Sequence, residues 1–300
     1  MQKRPKSAYC LEYAPISLPE DFPITDFSGV YRQSDKPITR LHIHNCLEVG
    51  YCHSGSGVFV IEDKVFPFWK GDVSVINHRE MHLAQSAKGT FSKWTFVSLD
   101  PLKLLGARVD DSGLLDTSSL CGPLFKNILA GQNHADIARI MRELVNELSE
   151  KKSGYRSCVR GLVWTLLAKL QRLSHDDKMD AIKTGRRNME RVAPALHYIA
   201  THYTEPVRIV VLAKACFMSL TNFRRLFGQA VKKTPFEYLT HVRIQMATVL
   251  LADTDKTVLE ISLETGYATL SSFNRQFKAE MGMPPRAWRS KAAHAARNLI

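Results

Sequence analysis

The sequence predicts an α+β chain of two folded bodies, a β-barrel or sandwich carrying a helical hairpin and then an all-α body. Three observations carry this expectation. The length of 300 residues suits two domains better than one. Near residue 134 the hydrophobic pattern changes from short apolar runs, broken by Gly, Pro and Asp, to stripes at three- and four-residue spacing. Positive charge gathers at one end: residues 180–300 hold 18 Lys and Arg against 9 Asp and Glu, a net of +9, while the rest of the chain carries +3.

The β elements come first. Between Arg40 and Leu99, runs such as Val58–Ile61 after Gly55-Ser56-Gly57, and Val73–Ile76 after Gly71-Asp72, read as strands and turns. No helical stretches separate them, so alternating βαβ units are excluded. The hairpin follows: Ile137, Ile140, Met141, Leu144, Val145 and Leu148, then Val159, Leu162, Val163, Leu166, Leu167, Leu170 and Leu173, form two amphipathic stripes joined by Lys151–Gly154. Such stripes either pack on the β body or form a dimer seam. The charged, apolar-poor stretch 174–188 reads as an interdomain linker.

Composition narrows the class of molecule. With 45% hydrophobic and 23% charged residues the chain is in the globular range. It lacks an apolar run long enough for a membrane helix, and a cytoplasmic protein with no membrane partner is expected. The six cysteines show no C-x-x-C spacing and read as reduced thiols, with Cys121, Cys158 and Cys216 expected as small core residues. Concentrated positive charge points to a polyanion partner.

After the linker the chain repeats. Phe223-Arg224-Arg225-Leu226-Phe227 and Phe273-Asn274-Arg275-Gln276-Phe277 share F-x-R-x-F at an offset of 50, kept by Pro235 and Pro285. Leu212-Ala213 and Ile261-Ser262 match at 49. Each unit reads as helix, turn, helix, with a capping box at Thr257 and Glu260 and a left-handed stop at Gly266. In each second helix the Phe pair lies on one face. Thr221, Arg224 and Arg225, like Ser271, Asn274 and Arg275, fall on another. Arg suits guanine O6 and N7, Asn suits adenine, and Ser or Thr suits bases or phosphates, so this face fits the major groove of double-stranded DNA. Thr234-Pro235-Phe236-Glu237 starts a connecting helix expected to run to about Ala252. Its length of about 27 Å approaches the roughly 34 Å between successive major grooves on one face of DNA.

The span from about Val192 to Arg289 resembles the DNA-binding domain of the AraC family of bacterial transcription regulators. The match runs through Leu212-Ala213, Met218-Ser219, Phe223-x-Arg225-x-Phe227, Pro235, Ile261, Gly266-Tyr267, Phe273-x-Arg275-x-Phe277-Lys278, Gly282 and Pro285. The resemblance implies paired helix-turn-helix units on a long helix, with Arg225 and Arg275 as base readers and Lys278 in the same DNA-binding set. Phe217 departs from it, standing before Met218-Ser219 where family members often have Gly. A left-handed backbone there carries strain of about 1–2 kcal/mol.

The family pairs this reader with a sensor, often a cupin. His42-x-His44-x-x-x-Glu48 with Gly55, then Gly71 with His82, resemble the two cupin motifs, although Asn77 and Arg79 replace the usual Pro and Gly. Strand parity places His42, His44 and Glu48 on one side. The set His42, His44, Glu48 and His82, with Tyr51, Trp69 or Trp94, can line a pocket for a small polar effector. The same four residues are a reasonable ligand set for zinc, nickel, iron or manganese, and whether a metal is held stays open. No cofactor and no enzymatic activity are expected. A metal-dependent cupin enzyme with an accessory nucleic-acid module is the alternative, as is a regulator with a vacant sensor governed by its abundance. The expected division is a cupin-like effector-sensing domain over 1–133, a dimerising helical hairpin over 134–173, the linker 174–188 and the DNA-binding domain 189–300. A homodimer is expected, and RNA polymerase is a further candidate partner.

Overall fold

A computed structural model describes residues 12–26, 31–34, 42–78, 80–87, 90–106, 112–122, 125–173 and 182–297. Its N-terminal body is built of two sheets. One orders β1 (Glu12–Tyr13), β4 (His42–Ile43), β9 (His82–Ser86), β6 (Gly57–Ile61) and β7 (Lys64–Phe68). The other orders β11 (Ile128–Leu129), β8 (Val73–Ile76), β5 (Leu47–Ser54), β10 (Phe91–Leu99) and β2 (Ile24–Asp26), and β3 (Tyr31–Ser34) also pairs with β10. The sheets face one another, because Phe59, Phe68 and Ala84 of the first pack with Cys52, Ile76, Trp94 and Phe96 of the second. Strands outside residues 40–99 carry too few residues to show an alternating pattern in the sequence.

The second sheet is covered on its outer face as well. After the short α1 (Pro101–Leu105), helices α2 (Ala135–Glu150) and α3 (Tyr155–Gln171) lay Ile140, Met141, Leu144, Val163, Leu166 and Leu167 against Val49, Tyr51, Val75 and Val97. Cover on both faces explains why successive residues of β8 and most of β5 are buried, rather than alternate ones. The apolar stripes of the hairpin are therefore consumed within one chain. Cys216 is buried, but Cys121 is half-buried and Cys158 is exposed, against expectation. Cys158 is one position before Val159, so the helical period turns it away from the buried face.

The C-terminal body comprises α4 (Ile182–His202), α5 (Ile209–Ala215), α6 (Leu220–Val231), α7 (Pro235–Asp253), α8 (Val258–Glu264), α9 (Leu270–Met281) and α10 (Pro285–Arg297). Helix α4 begins inside the stretch expected as linker. Once Met189, Val192 and Ala193 are packed, adding helical residues ahead of them needs no new nucleus.

Helix α7 starts at the Thr234 and Glu237 capping box and runs for 19 residues, about 28 Å at 1.5 Å per residue. It is buried on every side: Tyr238, Leu239, Val242, Ile244, Met246, Ala247, Val249 and Leu250 point in all directions around its axis. Its neighbours are α4, α6, α8, α9 and α10 within its own body, and β6 and β7 of the N-terminal body.

A close approach fixes the second unit on this strut. Arg243 of α7 donates from Nε to the Tyr203 carbonyl at 2.6 Å and from Nη2 to the Glu205 carbonyl at 2.9 Å. The same guanidinium lies 5.5 Å from the Tyr267 ring centroid. Gly266 sits in the gap with φ +84°, where a Cβ would stand 2.7 Å from the Thr204 carbonyl oxygen and 2.8 Å from that of Tyr203. Gly266→Ala adds backbone strain to a steric clash and is expected to destabilise the protein by about 2 kcal/mol or more. Urea unfolding of the full chain checks this as a lowered midpoint.

Candidate functional site

Two places carry the residues singled out by sequence. In the N-terminal body, His42 on β4 pairs directly with His82 on β9, both in the first sheet. His44 follows β4 in a short bend, and Glu48 belongs to β5 in the opposite sheet. The three residues of the first motif therefore do not share a strand. They converge because the chain crosses between sheets from residue 44 to 47, so that Glu48 faces the imidazoles from across the barrel.

Glu48 Oε2 lies 3.3 Å from His44 Nε2, and Glu48 Oε1 lies 3.7 Å from His82 Nε2. The ring centroids of His42 and His82 are 4.2 Å apart. Burial pushes the Glu48 carboxyl up to about 8. Burial also holds the His44 imidazole below its ordinary value, opposed by the Ala14 carbonyl. His82 is held well below its ordinary value, by burial first and then by His42. In all three groups burial is the largest cause and acts against the charged form.

Supporting residues surround them that the sequence did not single out. His44 Nδ1 is 2.7 Å from the Ala14 carbonyl, and His82 Nδ1 is 2.9 Å from the Glu80 carbonyl. The buried Glu80 carboxylate accepts from the Asn77 amide at 2.8 Å and from Asn127 Nδ2 at 3.1 Å, with Lys64 Nζ at 3.9 Å. The Glu80 amide donates to the Asn77 carbonyl at 3.0 Å, so a β-turn supplies the bend for which the motif uses Pro and Gly. Arg79 lies outside the described residues.

Of the three aromatic residues, Tyr51 and Trp69 are placed differently from the expectation. Tyr51 points to the outer face, against the hairpin, because its parity is opposite to that of Glu48. Trp69 packs in the cluster shared with α7. Trp94, 0% exposed, is inside the barrel among Phe59, Phe68 and Phe96 with ring centroids 5.0–5.5 Å away.

In the C-terminal body, α6 and α9 are presented alike. Ser219 caps α6 by accepting from the Asn222 amide, and Thr269 caps α9 by accepting from the Ser272 amide. Phe223 and Phe227, and Phe273 and Phe277, are fully buried. Phe227 meets Tyr238 of α7 as Phe277 meets Trp288 of α10, so the repeat extends to an aromatic three residues past each Pro. Thr221, Arg224 and Arg225, and Ser271, Asn274, Arg275 and Lys278, are all exposed. Arg225 donates to Asn222 Oδ1 at 2.9 Å and Gln229 Oε1 at 3.2 Å, which holds its guanidinium along the helix face.

A matched pair of polar, Arg-bearing helices on one strut, itself seated against a barrel with a buried polar cluster, defines a ligand-responsive DNA-binding regulator. A model of the AraC-like ligand binding domain matches residues 25–167 and a helix-turn-helix domain model matches residues 212–291. The chain belongs to the AraC family of transcription regulators, with an N-terminal ligand-binding domain and a C-terminal helix-turn-helix DNA-binding domain. It is 22% identical over 273 residues to the uncharacterized HTH-type transcriptional regulator YdeC of Bacillus subtilis, spanning 90% of this chain and 92% of that protein. It is 23% identical to the lactose operon transcription activator of Staphylococcus xylosus, spanning 74% and 76%. Among solved structures, ToxT from Vibrio cholerae is similar over 89% of this chain and 96% of its own, at 14% identity and a TM-score of 0.35.

The first helix-turn-helix holds the strained position anticipated from the sequence. Phe217 has φ +54°, and its amide and that of Met218 bond the Lys214 and Ala213 carbonyls, the pattern that Gly266 and Tyr267 repeat with Leu263 and Ser262. The Phe217 side chain is 71% exposed and gains little from packing. Relief of the left-handed strain outweighs the entropy that glycine adds to the unfolded chain, so Phe217→Gly is expected to stabilise the protein by about 0.5–1 kcal/mol. A raised urea midpoint at unchanged m-value reads this gain.

Proposed function

We propose that this regulator reads promoter DNA with Arg225 and Arg275 as base-contacting residues, one from each helix-turn-helix. Thr221, Arg224, Ser271, Asn274 and Lys278 contact neighbouring bases or phosphates. The observation that carries this reading is the equivalence of α6 and α9. Both are capped alike, bury a Phe pair and expose the same positions, and α7 joins them. The barrel receives a small polar effector at His42, His44, Glu48 and His82, with Trp94 as packing behind. Its effect passes through β6 and β7 to α7, and so to the population of reader competent for DNA.

The division proposed is a sensor to about residue 133, a dimerising hairpin over 134–173 and a DNA-binding body beginning with α4. Since the apolar stripes of the hairpin are covered in the same chain, the dimer contact falls on the outer face of α3, where Cys158, Gly161 and Thr165 are exposed. Two chains then engage DNA together, with avidity from their linkage. We place the protein in the cytoplasm, with RNA polymerase as a partner at the promoter, and assign it no catalysis. No helix among the described residues is long and apolar enough to cross a membrane.

Arg225→Ala and Arg275→Ala are each expected to weaken specific binding by about 1–3 kcal/mol, read by fluorescence anisotropy against a promoter fragment and a scrambled control. Equal loss on both DNAs would demote the arginine to a phosphate contact. For the dimer, a short bis-maleimide is expected to link two chains through Cys158 in solution, and Cys158→Ser to abolish the linked species. Persistence of the cross-link in that variant would move the contact elsewhere.

A further inference from the structure

We infer that Asn222 and Gln229 are positioning residues that set the specificity of the first helix-turn-helix: they brace Arg225 for pairing with one guanine, so that its target step is read more stringently than the step facing Arg275. The inference rests on the proposed reading of Arg225 and Arg275 as base-contacting residues and adds which of the two discriminates, and by what means.

The brace follows from helix spacing. Asn222 stands three residues before Arg225 and Gln229 four after it, so the three side chains lie along one stripe of α6. One terminal guanidinium nitrogen, Nη2, donates to Asn222 Oδ1 at 2.9 Å, and the other, Nη1, donates to Gln229 Oε1 at 3.2 Å. Held from both directions along the helix, the planar group is fixed in rotation as well as in position. A guanidinium carries five N–H donors and the brace uses two, which leaves three for DNA. A bidentate pair with guanine O6 and N7 needs two of them.

The second unit is built without this arrangement. At the offset of 50, Ser272 stands for Asn222 and Ala279 for Gln229. The alanine has no side-chain acceptor, and the serine hydroxyl has a shorter reach than a carboxamide, so the paired brace has no counterpart on Arg275. Backbone differences do not account for the contrast, because both helices are 12 residues long, are capped alike and expose the same positions. Lys278 replaces Gly228, three residues beyond the arginine, and adds a point charge suited to phosphate rather than to a base. Its charge repels the Arg275 guanidinium instead of holding it.

Bracing turns a contact into discrimination. A long side chain that is free in the unbound protein loses rotamer freedom when it meets DNA, and a braced one has already lost it. The larger consequence appears at a wrong base. An unbraced arginine there swings to a nearby phosphate and recovers much of its energy, whereas Arg225 must first break two hydrogen bonds. Its guanidinium therefore stays opposite the mismatched edge, desolvated and imperfectly paired, and the complex with that sequence is weakened.

The test uses the full chain and a DNA duplex library of random sequence, from which bound duplexes are recovered and sequenced over several rounds. The step whose preference is lost in Arg225→Ala is the target of the first unit, and the step lost in Arg275→Ala is that of the second. A strong guanine preference is expected at the first step and a weaker one at the second. In the double variant Asn222→Ala with Gln229→Ala, guanine preference at the first step should fall about three- to tenfold, the factor attached to ordering a long side chain at an interface, with the second step unchanged. The urea midpoint and the salt dependence of binding should not move, because neither residue is buried or charged and alanine suits a helix. The reciprocal exchange, Ser272→Asn with Ala279→Gln, should sharpen the second step. Guanine preference at the first step that survives the double substitution overturns the inference and leaves Arg225 as a reader. An equal loss at both steps, or on a scrambled duplex, also overturns it, since the two residues then act as phosphate or folding contacts. If Arg225→Ala erases no step, the base-reading assignment fails and the inference falls with it.

Discussion

Helix α7 has no face to spare. It joins the two helix-turn-helix units and supports α6 on one side and α9 with α10 on another, while β6 and β7 press on it from the N-terminal body. A helix enclosed in this way carries apolar residues around most of its circumference, as Tyr238, Val242, Ile244, Met246, Ala247 and Leu251 do. Several of its polar groups meet partners: Arg243 reaches two backbone carbonyls, His241 meets Glu280, and Thr234 and Glu237 satisfy the first turn. Each recognition helix takes its position from this core rather than from its own turn. The buried Phe pairs and the aromatic of the following helix fix its rotation, which decides which side chains face outward.

The two halves solve the same turn with different residues, and that comparison is internal to one chain. Gly266 serves a place where backbone from the first unit leaves no room for Cβ. Phe217 occupies the equivalent place in the first unit, with its side chain largely in solvent. The backbone geometry is conserved between the halves because the hydrogen bonds that end α5 and α8 impose it. The residue able to adopt that geometry without strain is present in only one of them.

Much of this was legible in the sequence, because the signals were local. The capping boxes at Thr234 and Thr257, the left-handed stop at Gly266 and the four-residue spacing of the phenylalanines depend on neighbours within one or two turns. The exposed positions of α6 and α9 followed from that spacing alone. What escaped was decided at a distance. Strand parity put His42, His44 and Glu48 on one side, but no local rule says that the chain changes sheets between His44 and Leu47. Tyr51, by contrast, was legible, since it stands three residues from Glu48 on one strand and parity alone turns it to the other face. Glu80, Asn127 and Lys64 meet only through the fold, 47 residues separating the first two. Cys158 and the start of α4 were misplaced by a single helical step and by cooperative extension of a packed helix.

The seat of Gly266 against Thr204, with Arg243 holding the flanking Tyr203 and Glu205 carbonyls and lying on the Tyr267 ring, has a bearing on the DNA itself. Backbone atoms of the two units touch there without an intervening flexible side chain, so one reading head cannot swivel against the other without breaking the contact. A molecule built this way measures phase as well as sequence. Adding one base pair between its two target steps turns the second step by roughly 34° about the duplex axis, given about 10.5 base pairs per turn. Promoters served by the proposed arginine pair therefore share a fixed separation of the two steps, even where the intervening bases are free to vary.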